Sequence, residues 1–257
     1  MRNPLRMKYE SGEQVVGTFF TMGDPSLMEC LGYTGLDFVI IDTEHGPFDT
    51  ETMSALIRTS ERVGLSPVVR IADVAHKEIQ RAADCGATGV IVPCLRTVDE
   101  FKKLVELAKY PPIGNRGFMK GRGCGFGYQP WASGTLEEYM CASNEMLMVI
   151  PQCETAESLA HIEEIAKLQG IDGIFIGPFD LSISMGIPGQ FHHPEFRTAV
   201  NRITNAFHGE GKPVYIYGSD PETCRKYLNT GMDGVANGLS SVVIVEAYKQ
   251  IVRQIKE

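Results

Sequence analysis

Eight short apolar runs, each separated from the next by a longer segment of mixed polarity, constrain this chain more than any other feature. They fall at 15–20, 37–42, 67–71, 89–93, 146–152, 173–177, 213–217 and 234–238. Several are unbroken blocks, such as FVII at 38–41, GVIV at 89–92 and LMVI at 147–150. A strand covered on one face alternates apolar with polar, whereas an unbroken apolar strand is covered on both, as in a parallel sheet flanked by helices. The intervening segments 50–63, 74–85, 98–109, 156–168, 194–208 and 221–229 show helical periodicity. Asp49 and Asp220 stand where a helix N-cap is wanted. Gly64, Gly86, Gly170, Gly211 and Gly231 follow helices at the position that favours positive φ. Strand and helix in alternation predict βαβ units. Eight units in 257 residues match the roughly 250 of one (β/α)8 TIM barrel, so residues 1–257 are expected to form a single α/β domain. No GxGxxG follows the first strand, which disfavours a dinucleotide-binding open sheet.

The net charge of −8 and the lack of any long Lys/Arg run argue against a nucleic-acid partner. An anionic small substrate stays open, because a local cation or metal can set the field of one pocket. Seven scattered cysteines, odd in number and without a CxxC pair, suggest reduced thiols rather than a disulfide framework. The first ten residues are polar and charged, and no run of about 18 apolar residues occurs. A cytoplasmic enzyme with no membrane partner is the expectation.

Barrel active sites form at the C-terminal ends of the strands, so the polar residues there matter most. The second strand ends in Asp42-Thr43-Glu44-His45-Gly46, the third in Arg70, the fifth in Gln152-Cys153-Glu154 and the sixth in Gly177-Pro178-Phe179-Asp180. Glu154 and Asp180 lie one βα unit apart, at neighbouring strand tips. Two such carboxylates can share a hard divalent cation, or each can cap a following helix. His45 suits general acid/base work near neutrality, and also suits a loop histidine satisfied by backbone. Asp42 and Glu44 are placed to orient it. Arg70 offers a planar fork to a carboxylate or a developing enolate oxygen, or pairs with one of the acids. His76, His161 and His208 fall in helix patterns and read as surface residues, while His192-His193 leads into the helix that starts at Pro194.

A Schiff-base mechanism needs a lysine on a strand facing the pocket. Lys77, Lys102, Lys103, Lys109, Lys167, Lys226, Lys249 and Lys256 fall in helices or tails, and Lys212 precedes a strand at the wrong end. Only Lys120 can approach, so metal-assisted carbanion chemistry is favoured. Lys120 belongs to a Gly-rich stretch, 114–130, that also carries Arg116 and Arg122. A long Gly-rich loop in a compact domain is a functional element or a mobile one; here it reads as a surface loop or a lid over the site.

The runs DFVIIDTEHGPFD (37–49), PVVR (67–70), GVIVP (89–93), IPQCET (150–155) and GIFIGPFDLSISMGIPGQFHHPE (173–195) closely resemble the HpcH/HpaI aldolase family over about residues 12–250. These are metal-dependent class II pyruvate aldolases. The resemblance implies cleavage or formation of 4-hydroxy-2-oxo acids to give pyruvate and an aldehyde, with Glu154 and Asp180 holding Mg2+, Mn2+ or Co2+ and no organic cofactor. The metal would chelate the 2-oxo and carboxylate oxygens of pyruvate and stabilise its enolate. His45, supported by Asp42 and Asp84, would serve the acid/base step, through a metal-bound water. Arg70 would stabilise the enolate and help bind pyruvate, with Gln152, Gly177, Pro178 and Phe179 completing the substrate site. Members are homo-oligomers, typically hexamers, with the last helix exchanged between neighbours. The apolar run SSVVIVEAYKQIV (240–252) suits that, and suits a helix within its own barrel equally.

Three features depart from the family pattern. RGFMKGRGCGFG (116–127) stands where a simpler RGxG form is expected, VANGLSS (235–241) replaces a VAxGxD-like run, and Phe179 stands where a small residue is common. They leave the aldehyde partner undefined. The competing readings are a C–C lyase acting on a CoA thioester, a phosphate-binding barrel using the Asn237–Ser240 turn, and a non-catalytic metabolite-binding barrel.

Overall fold

The structure is a computed structural model that describes residues 2–257. Its strands are β1 (Val15–Phe20), β2 (Phe38–Asp42), β3 (Ser66–Arg70), β4 (Gly89–Ile91), β5 (Met148–Val149), β6 (Gln152–Cys153), β7 (Ile174–Ile176), β8 (Val214–Gly218) and β9 (Gly234–Leu239). All pair in parallel in one curled sheet of order β5-β4-β3-β2-β1-β9-β8-β7-β6. The two edges of that order, β5 and β6, are one run of chain interrupted at Ile150-Pro151. Ile150 and Gln152 donate to Val90 O and Val92 O at 2.9 Å, towards β4. Pro151 O accepts from Phe175 N at 3.0 Å, towards β7. Pro151 has no N–H to return, so the ladder breaks there while the run stays paired on both sides. The sheet therefore closes on itself as a TIM-like barrel, and the fifth predicted strand supplies both halves of the seam.

Alternation along each strand splits the core in two. Ile40, Val68, Ile91, Phe175 and Tyr215 point inward and fill the barrel. Val39, Val69, Val90, Ile176 and Ile216 point outward to meet the helices. That double coverage is why the strands read as unbroken apolar blocks.

The helices are α1 (Pro4–Glu10), α2 (Pro25–Leu31), α3 (Thr50–Arg62), α4 (His76–Cys85), α5 (Val98–Ala108), α6 (Leu136–Met146), α7 (Ala156–Ala160), α8 (Ile162–Ala166), α9 (Pro178–Ser184), α10 (Pro194–Gly209), α11 (Pro221–Asn229) and α12 (Ser240–Lys256). Asp49 and Asp220 cap α3 and α11 through their side chains. The five glycines expected after helices all have positive φ. The predicted helix 156–168 is broken at His161, where the ladder switches to a three-residue bond, His161 N to Ser158 O at 3.1 Å.

Helix α1 plugs the N-terminal mouth of the barrel. Leu5 joins the inner core, and buried Asn3 donates to Thr88 O and Met146 O at 2.7 and 2.6 Å. Beside it, Asp172 pairs with Arg6 and with Lys109, both at 2.7 Å. Lys109 is only 1% exposed; burial lowers its pKa, and Asp172 opposes that shift.

The Gly-rich stretch packs at this same end. Arg116 pairs with Asp84 at 2.7 Å, and Arg122 pairs with Glu61 and donates to Cys85 O at 2.8 Å. These partners sit at the C-terminal ends of α3 and α4, which feed the N-terminal ends of the strands. A cluster of Tyr110, Cys124, Ala132 and Tyr139 anchors the stretch. The reading as a lid over the strand tips of its own chain is thereby corrected: its guanidiniums are tied to carboxylates at the far end of the barrel.

Candidate active site

Asp42 closes β2 at an inward position, and the chain then turns sharply. Gly46 N donates to Asp42 O at 3.0 Å, and any Cβ on Gly46 would collide with that carbonyl. Glycine in DTEHG is thus a steric requirement. Glu44 N and His45 N donate to Asp42 Oδ1 at 3.2 and 3.4 Å. Asp42 and Arg70 are register partners across β2 and β3, so the two side chains emerge together. Arg70 forks onto the carboxylate, Nε to Oδ1 at 2.9 Å and Nη2 to Oδ2 at 2.6 Å, the strong bidentate form. Its Nη1 lies 3.1 Å from Glu44 Oε2, and its plane sits over the Phe19 ring at 4.7 Å. Burial works against the guanidinium charge, but Asp42, Glu44 and Glu154 outweigh it and raise the pKa.

Glu154 follows β6 and is 4% exposed. Its Oε1 accepts from Cys94 N at 2.6 Å, with Cys94 turned to a φ of 60°, and its Oε2 accepts from Gln152 Nε2. Burial raises the Glu154 pKa; the Cys94 N–H opposes this, while repulsion from Asp180 and Glu44 adds to it. Glu44 is likewise raised, first by burial, with Arg70 and His45 opposing and Asp42 and Asp180 adding. A Cβ on Gly177 would lie 2.6 Å from Gln152 Nε2 and 2.7 Å from Glu154 Oε2, so the bare backbone there makes room for the carboxylate. Neither acid is a helix cap: Thr155 caps α7 through its own hydroxyl, and Asp180 lies inside the first turn of α9, which has no side-chain cap.

Asp42, Glu44, Arg70, Gln152, Gly177, Pro178, Phe179, Asp180 and Glu154 are therefore gathered at the strand tips around a small pocket of about 100 Å3. The His45 ring is at the rim, 71% exposed, its Nε2 3.8 Å from Glu44 Oε1. Asp42 faces Arg70 rather than this ring. Asp84 is not part of the gathering: it ends α4 at the opposite barrel end, on Arg116, and lines a separate cavity of about 370 Å3. Within one chain Asp84 does not meet His45, because strand tips and the C-terminal ends of the helices lie at opposite ends of a βα unit. Three contributors were missed in the sequence: the Cys94 backbone, Phe19 and Tyr217. Phe19 and Tyr217 are legible as inward positions near the ends of their strands; the turn at Cys94 has no residue signature.

The acidic groups supply oxygen donors only. Among the described residues no three His, Cys, Asp or Glu side chains gather as a metal-holding set. Two carboxylates in mutual repulsion, one of them deeply buried, fit a hard divalent cation that takes its remaining oxygens from water or substrate.

The model of the HpcH/HpaI aldolase/citrate lyase family matches residues 16–247. A 2-dehydro-3,6-dideoxy-6-sulfogluconate aldolase of Pseudomonas putida is 33% identical over 84% of this chain and 82% of its own. A hydroxypyruvate/pyruvate aldolase of Pseudomonas aeruginosa is 29% identical over 99% of this chain and 93% of its own. The crystal structure of an HpcH/HpaI aldolase from Desulfitobacterium hafniense DCB-2 superposes with a TM-score of 0.91 at 27% identity, covering 100% of this chain and 98% of that one.

Proposed function

The chain belongs to the HpcH/HpaI aldolase/citrate lyase family and is a carbon–carbon lyase of the aldolase type, and from that premise we propose that it interconverts 4-hydroxy-2-oxo acids with pyruvate and an aldehyde. One observation carries the reading: Arg70, locked by Asp42 and Glu44, projects into the same pocket that Gln152 and Asp180 line, with Glu154 beside it.

In cleavage, the C4 hydroxyl loses a proton and the C3–C4 bond breaks. The aldehyde departs, and the electron pair left on C3 becomes the pyruvate enolate, which takes a proton at C3. Arg70 presents fixed N–H groups to the negative charge that develops on the 2-oxo oxygen. Because Asp42 and Glu44 already hold the fork, it needs no reorganisation during the reaction. His45, exposed at the rim beside Glu44, moves the proton at the C4 hydroxyl. Gln152 and the Gly177–Pro178 backbone position the 2-oxo acid, and Phe179 flanks it. Glu154 and Asp180 would hold Mg2+, Mn2+ or Co2+, which when bound supplies Lewis-acid polarisation of the 2-oxo group.

Assembly is part of the same reading. Val242, Val245, Tyr248, Ile251 and Ile255 of α12 stand 46–78% exposed. A largely apolar groove of about 590 Å3 lies between α2, α11 and the first turns of α12 itself, lined by Leu27, Leu31, Leu228, Val235, Val243 and Ile244. Both features support exchange of α12 between copies of this chain in a homo-oligomer, read as a hexamer.

The test is pyruvate release from a panel of 4-hydroxy-2-oxo acids with added Mg2+ or Mn2+, repeated after chelation and with Glu154→Ala. Metal-dependent release that vanishes in the variant is the expected result; no release from folded protein with any metal refutes the reading.

A further inference from the structure

Resting on the metal-dependent aldolase reading, we propose that Cys94 is a positioning residue for Glu154 and acts through its left-handed backbone, not its thiol: the turn at 93–95 aims an N–H at the carboxylate and fixes the orientation in which it takes a divalent cation. Among the described residues, Cys94 and Phe126 are the non-glycine residues with positive φ, at 60° and 58°. Phe126 lies in the Gly-rich stretch between Gly125 and Gly127, which share its positive φ. Cys94 has no such neighbours and stands at a strand tip. An L-residue in this region crowds its Cβ against its own backbone, and the conformation persists where surrounding contacts over-determine it.

Those contacts come from one segment. β4 ends at Ile91, and Pro93 has no N–H with which to carry the ladder on. Cys94 is thus the first backbone donor past the proline. Gln152 N donates to Val92 O at 2.9 Å, Cys94 N donates to Glu154 Oε1 at 2.6 Å, and the Thr155 hydroxyl donates to Leu95 O at 2.8 Å. Residues 152, 154 and 155 therefore grip 92, 94 and 95 in step. Thr155 is buried and is tied down in turn, its hydroxyl oxygen accepting from Ser158 N at 3.1 Å at the start of α7. The Cys94 side chain is exposed, so the grip is on the backbone.

Glu154 is held on both oxygens. Gln152 Nε2 donates to Oε2, and the bare Gly177 backbone packs beside that oxygen, where a Cβ would lie 2.7 Å away. One hydrogen bond on each oxygen leaves each a further lone pair. A backbone N–H on a carboxylate is a strong, charge-assisted bond, and it cannot rotate away while φ holds. Donors of this kind orient a metal ligand, and losing one commonly costs 10–100-fold in metal affinity.

The test is Mn2+ binding by the full-length protein without substrate, followed by electron paramagnetic resonance, which reads the carboxylate apart from turnover. The wild type should bind Mn2+ and Glu154→Ala should lose most of that binding. No binding by the wild type, or equal binding by Glu154→Ala, refutes the metal assignment and this inference with it. With binding established, substitutions at Cys94 separate backbone from side chain. Cys94→Gly takes positive φ freely, and Cys94→Ala is no more crowded there than cysteine, so both should bind as the wild type does. Cys94→Val puts a β-branched side chain where it is a genuine outlier. It should swing the N–H off Glu154 and weaken Mn2+ binding about tenfold or more. Thr155→Val frees Leu95 O and should weaken binding in the same direction, with Thr155→Ser restoring it; this pair carries the test if melts of the metal-free protein show that Cys94→Val does not fold. Unchanged affinity in folded Cys94→Val, or in Thr155→Val where it stands in, overturns the inference. So does an equal loss in Cys94→Gly or Cys94→Ala. Either result leaves the aldolase reading standing.

Discussion

Replacing Glu154 by Gln keeps the side-chain volume and removes one buried negative charge, and it should stabilise the metal-free protein while abolishing its activity. The amide oxygen still accepts from Cys94 N, which now bonds Glu154 Oε1 at 2.6 Å. The other contact changes sense. Gln152 Nε2 donates to Glu154 Oε2, while Gln152 Oε1 is buried without a partner. Rotating the Gln152 amide turns its oxygen towards the new NH2 and moves its own NH2 to the unpartnered position, so the number of hydrogen bonds is kept and the gain comes from removing the buried charge. Desolvating a buried polar group costs about 1–3 kcal/mol, and more when it is charged, and 1 kcal/mol moves Tm by about 2–4 °C in a chain of this size. Chelated Glu154→Gln should therefore melt roughly 2–10 °C above chelated wild type at neutral pH. The pH dependence has a definite sign. Burial, and then Asp180 and Glu44, raise the folded pKa of Glu154 above its ordinary value. The fold thus holds that proton more tightly than the unfolded chain, and the associated stability is present in acid and lost as pH rises through the folded value. The advantage of Glu154→Gln should be largest at neutral pH and shrink as pH falls towards the ordinary carboxylate range. Calorimetric melts with chelator at several pH values measure it. A lower Tm for the variant at neutral pH, or a difference that does not change with pH, would refute the reasoning.

Arg70→Lys retains a positive charge but loses the fork onto Asp42 and the Nη1 contact to Glu44; Arg70→Ala loses both charge and fork. Arg70→Ala should lower kcat about 100-fold or more in steady-state assays, as loss of a preorganised transition-state donor commonly does, and the Lys variant should recover only part of it. Asp172→Asn strands the buried Lys109 ammonium and should cost about 3–5 kcal/mol in denaturant melts, with the site at the other barrel end still binding pyruvate. Removing α12 beyond Leu239 should lower the assembly mass seen by light scattering, because its exposed apolar face then has nothing to dock; unchanged mass would show that α12 joins no copies.

The alternation of apolar runs and helical segments determines the architecture locally, and so does the capping chemistry. Asp49, Asp220 and the five glycines act through their own backbone neighbourhood, which one sequence suffices to reveal. The strand-tip acids and Arg70 were legible too, because the C-terminal ends of parallel strands converge whatever the details of packing. Only the tertiary structure decided how those groups share their charges. Asp42 is spent on Arg70 through a register match across β2 and β3, leaving His45 to Glu44. Glu154 is held from β4's side of the barrel by the Cys94 backbone, sixty residues away. Asp84 and the Gly-rich stretch lie at the far end because α4 runs back down the barrel and salt bridges there capture Arg116 and Arg122. Sequence spacing states which residues are near along the chain; register, barrel closure and buried ion pairing set which side chains meet, and these depend on contacts among residues far apart in sequence.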